Sequence, residues 1–206
     1  MPSSFSHMAV PIAIAHVAGK RNVPKTLLKA GLAASMLPDL DLVGAAFGVP
    51  FDHALGHRGF FHSPAFGLSV ALLSLGGWRR LGPSRPMVFG VVFFSILSHG
   101  LLDAATHGSI GVAFLSPFSH ERFLLPWRPI PAVPTDLARL LGLGGLAVIA
   151  AEVLWIWIPC LVLITVFRLL RKRRAASGRN LEEKSKPRFF NPALAWELRE
   201  ASRKRG

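Results

Sequence analysis

From Leu140 to Phe167 the chain runs with a single charged side chain, Glu152, and then turns abruptly basic. At roughly 1.5 Å per helical residue this stretch exceeds a hydrocarbon core of about 30 Å, so it can cross a bilayer unaided. A chain of 206 residues that carries such a segment folds in or against lipid. Composition agrees, because apolar residues make up 51% of the chain and the mean hydropathy is +0.42. The net charge of +13 would suit a nucleic-acid partner if it covered a surface. It does not: thirteen of the 24 Lys and Arg lie in Arg168–Gly206, leaving +9 in the tail and +4 in the rest. A basic run straight after an apolar one reads as a cytoplasmic anchor facing anionic lipid, with membrane lipid as the partner and no nucleic acid.

Four shorter apolar segments precede the long one. They run from about Phe5 to Gly19, from Pro24 to Leu37 (with a continuation, Leu42–Val49), from Pro64 to Trp78 and from Pro86 to Thr106. Ser63-Pro64 and Ser84-Arg85-Pro86 put a proline in the first helical turn, where its missing N–H costs nothing. Pro38, Gly108 and Pro117 mark ends, and four prolines predict an extended loop over Arg122–Asp136. Met1–Met8 carries no positive charge and the basic residues follow the apolar stretch, so this segment is expected to be retained. The lone Cys160 allows no internal disulfide.

Orientation follows from the cations. Twenty Lys and Arg fall in the turns after segments one and three and in the tail, against Arg58, Arg122, Arg128 and Arg139 on the other side. The positive-inside rule then sets the C-terminus in the cytoplasm and the N-terminus outside. The expected fold is all-α, a polytopic bundle of about four or five membrane helices. Residues 1–167 would form the membrane domain and 168–206 a basic cytoplasmic tail.

Hairpin arithmetic sorts the histidines and acids. Counting back from the Gly19 turn and forward from Lys25 sets His7 level with Asp39 and Asp41. In the second hairpin, about fifteen residues into segment four lies Gly100, level with His62, with His99 and Asp103 on either side. Spaced i, i+4, His99 and Asp103 share one helix face. His57 and His62 are about 140° apart on a helix, so His57-Arg58-Gly59-Phe60-Phe61-His62 is expected to be a loop with Gly59 at its turn. One non-cytoplasmic face thus bears His7, Asp39, Asp41, His57, His62, His99 and Asp103. Mixed imidazole and carboxylate donors suit zinc, manganese or iron, and seven donors leave room for two ions. A single such residue is more often a packed, hydrogen-bonded one, but several ionisable groups level beside membrane segments mark function.

Other polar residues read differently. His16, about 13 Å further along segment one, belongs at the opposite end. Asp52 and His53 sit near the site, and His107 and His120 are left open. Glu152 is expected to bond a neighbouring helix or a Trp indole, and the helix opened by Asn191-Pro192 to lie on the inner leaflet.

Ser6-His7, Leu37-Pro38-Asp39-Leu40-Asp41, His57-Arg58-Gly59-x-x-His62-Ser63 and Ser98-His99-Gly100-x-x-Asp103, in that order, resemble the YdjM-like family. The resemblance covers about Phe5–Phe118. It implies a bacterial inner-membrane location, LexA regulation and metal-dependent hydrolase chemistry. His-x-x-x-Asp on a helix is also similar to the all-helical zinc phospholipase C and nuclease class, an analogy of fold alone.

Two functions compete. In the first, the metal ligands serve hydrolysis of a phosphoester or ester of a lipid-linked substrate. Asp39 would then act as ligand or general base, and Arg58 would neutralise a developing oxyanion. In the second, the same residues serve a non-enzymatic metal carrier or adaptor. A carrier wants its ligands near the bilayer midplane; here they gather at one end, which favours the enzyme.

Overall fold

The computed structural model describes residues 2–134, 136–185 and 192–204. It is mostly helical, as the apolar periodicity requires. Helices α1 (Ser4–His7) and α2 (Ala9–Ala18) lead into α3 (Lys25–Met36), a 3-10 turn (Leu37–Asp41) and α4 (Leu42–Ala46). After the loop that carries His57, α5 (Pro64–Ser74) and α6 (Trp78–Leu81) turn into α7 (Arg85–Ala104). Helix α7 is the axis of the first compact unit, residues 1–164, and α2, α3 and α5 all pack on it.

Two apolar clusters hold this packing. Val88 and Val91 of α7 meet Ala15, Val23 and Leu27 at one end. Further along, Val92 and Ile96 meet Ala34 of α3 and Ala71 of α5. Small side chains at these crossings let helices approach closely, as membrane helices do.

The two basic turns lie together. Thr26 at the start of α3 donates to the Leu81 carbonyl at 2.9 Å, and Arg79 and Arg85 flank the Trp78 ring at 5.6 and 5.7 Å. Lys20, Arg21 and Lys25 therefore share an end with Arg79, Arg80 and Arg85. His99 and Asp103 sit at the far end of α7, some 20 Å or more away at about 1.5 Å per residue.

The loop expected over Arg122–Asp136 is indeed extended, but part of it pairs. Strand β2 (Ile130–Pro131) lies parallel to β1 (Thr106–His107), with Thr106 opposite Ile130. Proline is tolerated there because an edge strand of two residues asks for few N–H donors. The long apolar segment is also longer than composition suggests. Helix α8 (Leu137–Leu141) is followed by α9 (Leu143–Glu152), a π-helical turn (Val153–Trp157) and α10 (Ile158–Ser185), which passes the 167/168 boundary without a break. The second unit, residues 165–206, holds the end of α10 and α11 (Pro192–Arg203). Asn191 lies outside the described residues.

Among the described residues two helical stretches are long and apolar enough to cross a membrane, Arg85–Ala104 and Leu143–Ser177. The other segments are helical but short. Helices α2, α3 and α5, of 10, 12 and 11 residues, are only about 15–18 Å long.

Leu27 is wholly buried while Leu73 is 79% exposed. Leu27→Ala should cost about 2–5 kcal/mol of stability and Leu73→Ala close to none, read by thermal unfolding of the detergent-solubilised protein. Equal losses would contradict the packing around α7.

Candidate metal centre

Each element brings one part of a buried cluster. The end of α1 supplies His7, whose ring stacks on that of His99 at a centroid distance of 3.6 Å and 13° between planes. One turn of α7 separates His99 from Asp103. The 3-10 turn supplies Asp39 and Asp41. It forms because α3 cannot continue through Pro38, whose nitrogen lacks the proton an α-helical bond needs. The loop before α5 supplies His57, Arg58 and His62. Its exit is fixed by Ser63, whose hydroxyl accepts from the Phe66 N–H, and by Pro64 in the first helical turn. Phe60, Phe61 and Phe66 pack edge to face beside this loop, with centroids 5.1–5.9 Å apart.

The turn in this loop is not made by Gly59, as the sequence suggests. Arg58 takes the left-handed conformation, with φ of 64°. Glycine is required at 59 for space: a Cβ there would lie 2.2 Å from the Ala54 carbonyl oxygen. The strain at Arg58, of order 1–3 kcal/mol for such a residue, is borne by its surroundings. Its N–H donates to Asp41 Oδ2 at 3.1 Å, its carbonyl accepts from Ala113 at 3.0 Å, and its Nε donates to Asp103 Oδ2 at 2.9 Å. Gly100 is a second space requirement. A Cβ there would lie 2.7 Å from the His62 carbonyl oxygen, so only glycine lets α7 draw this close to the loop.

The donor atoms of the cluster lie 3.3–4.0 Å apart. His99 Nε2 lies 3.3 Å from Asp39 Oδ1 and 4.0 Å from Asp103 Oδ2. His62 Nε2 lies 3.9 Å and 3.4 Å from the same two oxygens. Donors around a tetrahedral zinc at about 2.0–2.1 Å are about 3.3 Å from one another. His7 Nε2 adds a contact of 3.7 Å to Asp103 Oδ1. His7, His99 and Asp103 offer atoms within 4.8 Å of one another, and so do Asp39, His57 and His62.

Protonation is largely set by the partners. His99 Nδ1 meets the Ser35 carbonyl at 2.7 Å and must donate to it, which turns Nε2 toward Asp39, 3.3 Å away. His57 Nδ1 bonds Asp41 Oδ1 at 2.8 Å. His62 Nδ1 stands 3.1 Å from Asp41 Oδ2, off hydrogen-bond alignment. Burial would push the Asp39 carboxyl up, but the His99 imidazole beside it holds it below the usual range. Burial acts likewise on Asp41, and His57 and His62 outweigh it. For His62 burial favours the neutral ring, yet Asp103 and Asp41 raise its pKa above the ordinary value.

Eight buried atoms of the cluster have no hydrogen-bond partner: both ring nitrogens of His7 and of His62, His99 Nε2, both oxygens of Asp39 and Asp103 Oδ1. A buried polar atom left unpaired costs about 1–3 kcal/mol. So many in one cluster fit the donor set of a cation, and the residues present suit the metal that the sequence pattern implies.

Outside this shell the other residues fall out clearly. His16 bonds the Ile12 carbonyl on its own helix. Asp52, His53, His107 and His120 are exposed and take no part in the ion pairs of the cluster among the described residues. Glu152 is buried and accepts from Ser3 N, Ser3 Oγ and Ser6 Oγ, while the Trp157 indole donates to the same Ser6 hydroxyl. It thereby pins the turn that carries His7. Arg122 was legible only as a charge. In the fold it donates to the carbonyls of His57, Gly111 and Phe51, at 3.1, 3.3 and 2.6 Å, and backs the His57 loop.

A helical bundle that closes four separate segments around His and Asp at one end defines a class of membrane protein with a buried polar site. The chain belongs to the YdjM inner membrane protein family, whose model it matches over residues 1–175. It is similar to the inner membrane protein YbcI of Escherichia coli (strain K12), with 41% identity over 167 residues, 80% of this chain and 95% of that protein. No solved structure matches.

Gly100→Ala should lower the melting temperature, because a methyl group there displaces the His62 backbone. On the same helix Gly90, with nothing within 4 Å of its added Cβ, should accept alanine with no loss or a gain of up to about 1 kcal/mol. Identical behaviour of the two variants would contradict the close approach at His62.

Proposed function

We propose that this protein is a membrane-bound metal-dependent hydrolase of an ester or phosphoester in a lipid-linked substrate. Its ligands are drawn from His7, Asp39, Asp41, His57, His62, His99 and Asp103, and hold one or two ions. Zinc suits the donors best, with manganese or iron as alternatives. The observation that carries the reading is the set of eight unpartnered buried atoms that His7, Asp39, His62, His99 and Asp103 gather at one end of the bundle. A divalent ion bound there polarises the scissile group and lowers the pKa of water. Asp39, whose side chain is 13% exposed although both its carboxylate oxygens are buried, is the least enclosed acid of the cluster and would take the proton of a water held there. The water oxygen bonds to phosphorus or to the ester carbon, the ester bond breaks, and the proton on Asp39 passes to the leaving alcohol. Arg58, fixed on Asp103, neutralises the developing oxyanion.

The same reading sets residues 1–167 in the bacterial inner membrane as four or five segments, with 168–206 as the cytoplasmic tail. The cluster faces the non-cytoplasmic side, because the basic turns lie at the opposite end of α7. Reporter fusions should put the 79–85 turn and Gly206 in the cytoplasm and the 57–62 loop outside. Cytoplasmic labelling of that loop would reverse the orientation.

Purified protein should carry metal that His99→Ala and Asp103→Asn each lose and His16→Ala retains, measured as metal content per chain. Equal loss from His16→Ala would remove the cluster as the site. Metal-loaded protein in liposomes should cleave lipid-linked phosphoesters or esters in preference to soluble nucleotides and sugar phosphates. Full metallation without cleavage of any of them would favour a metal carrier instead.

A further inference from the structure

Beside the cluster lies a cavity of about 650 Å3. Leu42, Phe51, Ile110 and Val133 form much of its wall, and His57 and Arg58 carry its titratable and charged groups. Its other polar side chains are serines, and among the described residues no carboxylate lines it. The volume falls in the range of roughly 300–1,000 Å3 typical of small-molecule sites. At about 30 Å3 per water it would hold about 20 waters, against walls that offer them few partners.

Charge and polarity together select the occupant. Two acids of the cluster are held by the residues that line this space. Asp103 is engaged by Arg58 Nε, and Asp41 by His57 and the Arg58 N–H. What remains toward the cavity is one permanent cation, one imidazole and apolar wall. An anionic head group with a hydrocarbon tail matches this lining; a polar soluble metabolite leaves the wall uncovered. The surroundings point the same way. Phe47, Phe51, Ile110, Leu115 and Phe118 are exposed on loops around the cluster end, and Trp127 packs edge to face on Trp155 at 4.6 Å. Exposed aromatic and aliphatic loop residues in a membrane protein belong at head-group depth.

We infer that this cavity seats a lipid phosphate, with its head group at Arg58 and His57 and one hydrocarbon chain along Leu42, Phe51, Ile110 and Val133. The inference rests on the hydrolase reading for its consequence, since it names the substrate class, but the binding step is measurable without turnover.

The test is equilibrium binding, in detergent micelles, of a long-chain lipid phosphate carrying a fluorescent, photoactivatable chain. Val133→Trp and Ile110→Trp, which fill the cavity, should weaken binding tenfold or more with metal content and melting temperature unchanged. The alcohol with the same chain should bind at least tenfold more weakly than its phosphate, and inorganic phosphate should not displace the lipid at equal concentration. Photo-crosslinking of the unaltered protein should label peptides that contain Phe51, Ile110 or Val133, a readout that needs no variant to fold. Wild-type affinity in both Trp variants, or crosslinks confined to other helices, would overturn the proposal. Displacement by equimolar inorganic phosphate would overturn the lipid source. Lipid phosphate bound in the cavity but not cleaved by metal-loaded protein would support the cavity and remove the hydrolase. Unchanged cleavage in both filled variants would do the reverse.

Discussion

Asp103 is the charge on which the rest of the arrangement turns. It is fully buried at the end of α7, and an isolated carboxylate there would be intolerable. Four side chains therefore gather around it. Arg58 comes from one loop and His62 from the end of the same loop, His99 from one turn back on α7, and His7 from α1. Three of them have their own tether: Arg58 to Asp41 and Ala113, His99 to the Ser35 carbonyl, the His7 turn to Glu152 through Ser3 and Ser6. Breaking one partner leaves a buried charge uncompensated, which is far costlier than losing an apolar contact. The polar cluster is thus a constraint on the helix ends as much as a site.

That constraint sets one end of α2, α3 and α5, each of which begins or stops at the level of the cluster. Pro38 and Ser63-Pro64 end or begin helices at the level of the cluster. The depth is made up by α7 and by the stretch from Leu143 to Ser177, whose exposed leucines at 143, 146, 154 and 161 ask for lipid rather than water. Glu152 lies within that long stretch, and its bonds to Ser3 and Ser6 join it to the first turn of the chain. A buried acid that accepts several bonds from one neighbouring segment is a lock between segments, and its position next to a π-helical turn fits a helix adjusted to make that contact.

Much of this was legible in the sequence because helical rise is constant. Equal counts from the Gly19 turn and from segment three were enough to bring His7, the Asp39–Asp41 corner, His62, His99 and Asp103 to one level, and the fold brings these side chains within a few ångströms. What sequence could not carry falls into kinds. The Ser35 carbonyl that orients His99 is backbone, and every residue has one. The left-handed conformation went to Arg58 because tertiary bonds to Asp41 and Ala113 hold it there, whereas local propensity pointed to Gly59. Gly100 reads as a poor helix residue until the His62 carbonyl appears opposite it. The short pairing of Thr106 with Ile130 joins segments separated by an irregular loop, where no periodicity guides the eye.

The depth of the site and the greasiness of its loops are two sides of one requirement. A cluster of ionisable groups is most easily kept from water by walls, and most easily reached by a charged substrate through an opening. Walls of Leu42, Phe51, Ile110 and Val133 with Arg58 at the polar end satisfy both only if the ligand is itself amphipathic. A soluble anion would have to cross apolar loop surface to arrive, losing hydration with nothing in return until it met Arg58. A lipid head group is already at that depth, and its tail covers the wall as it enters. On the proposed function, the short helices, the exposed aromatic loops and the single cation in an apolar cavity all suit one route of access, sideways from the bilayer.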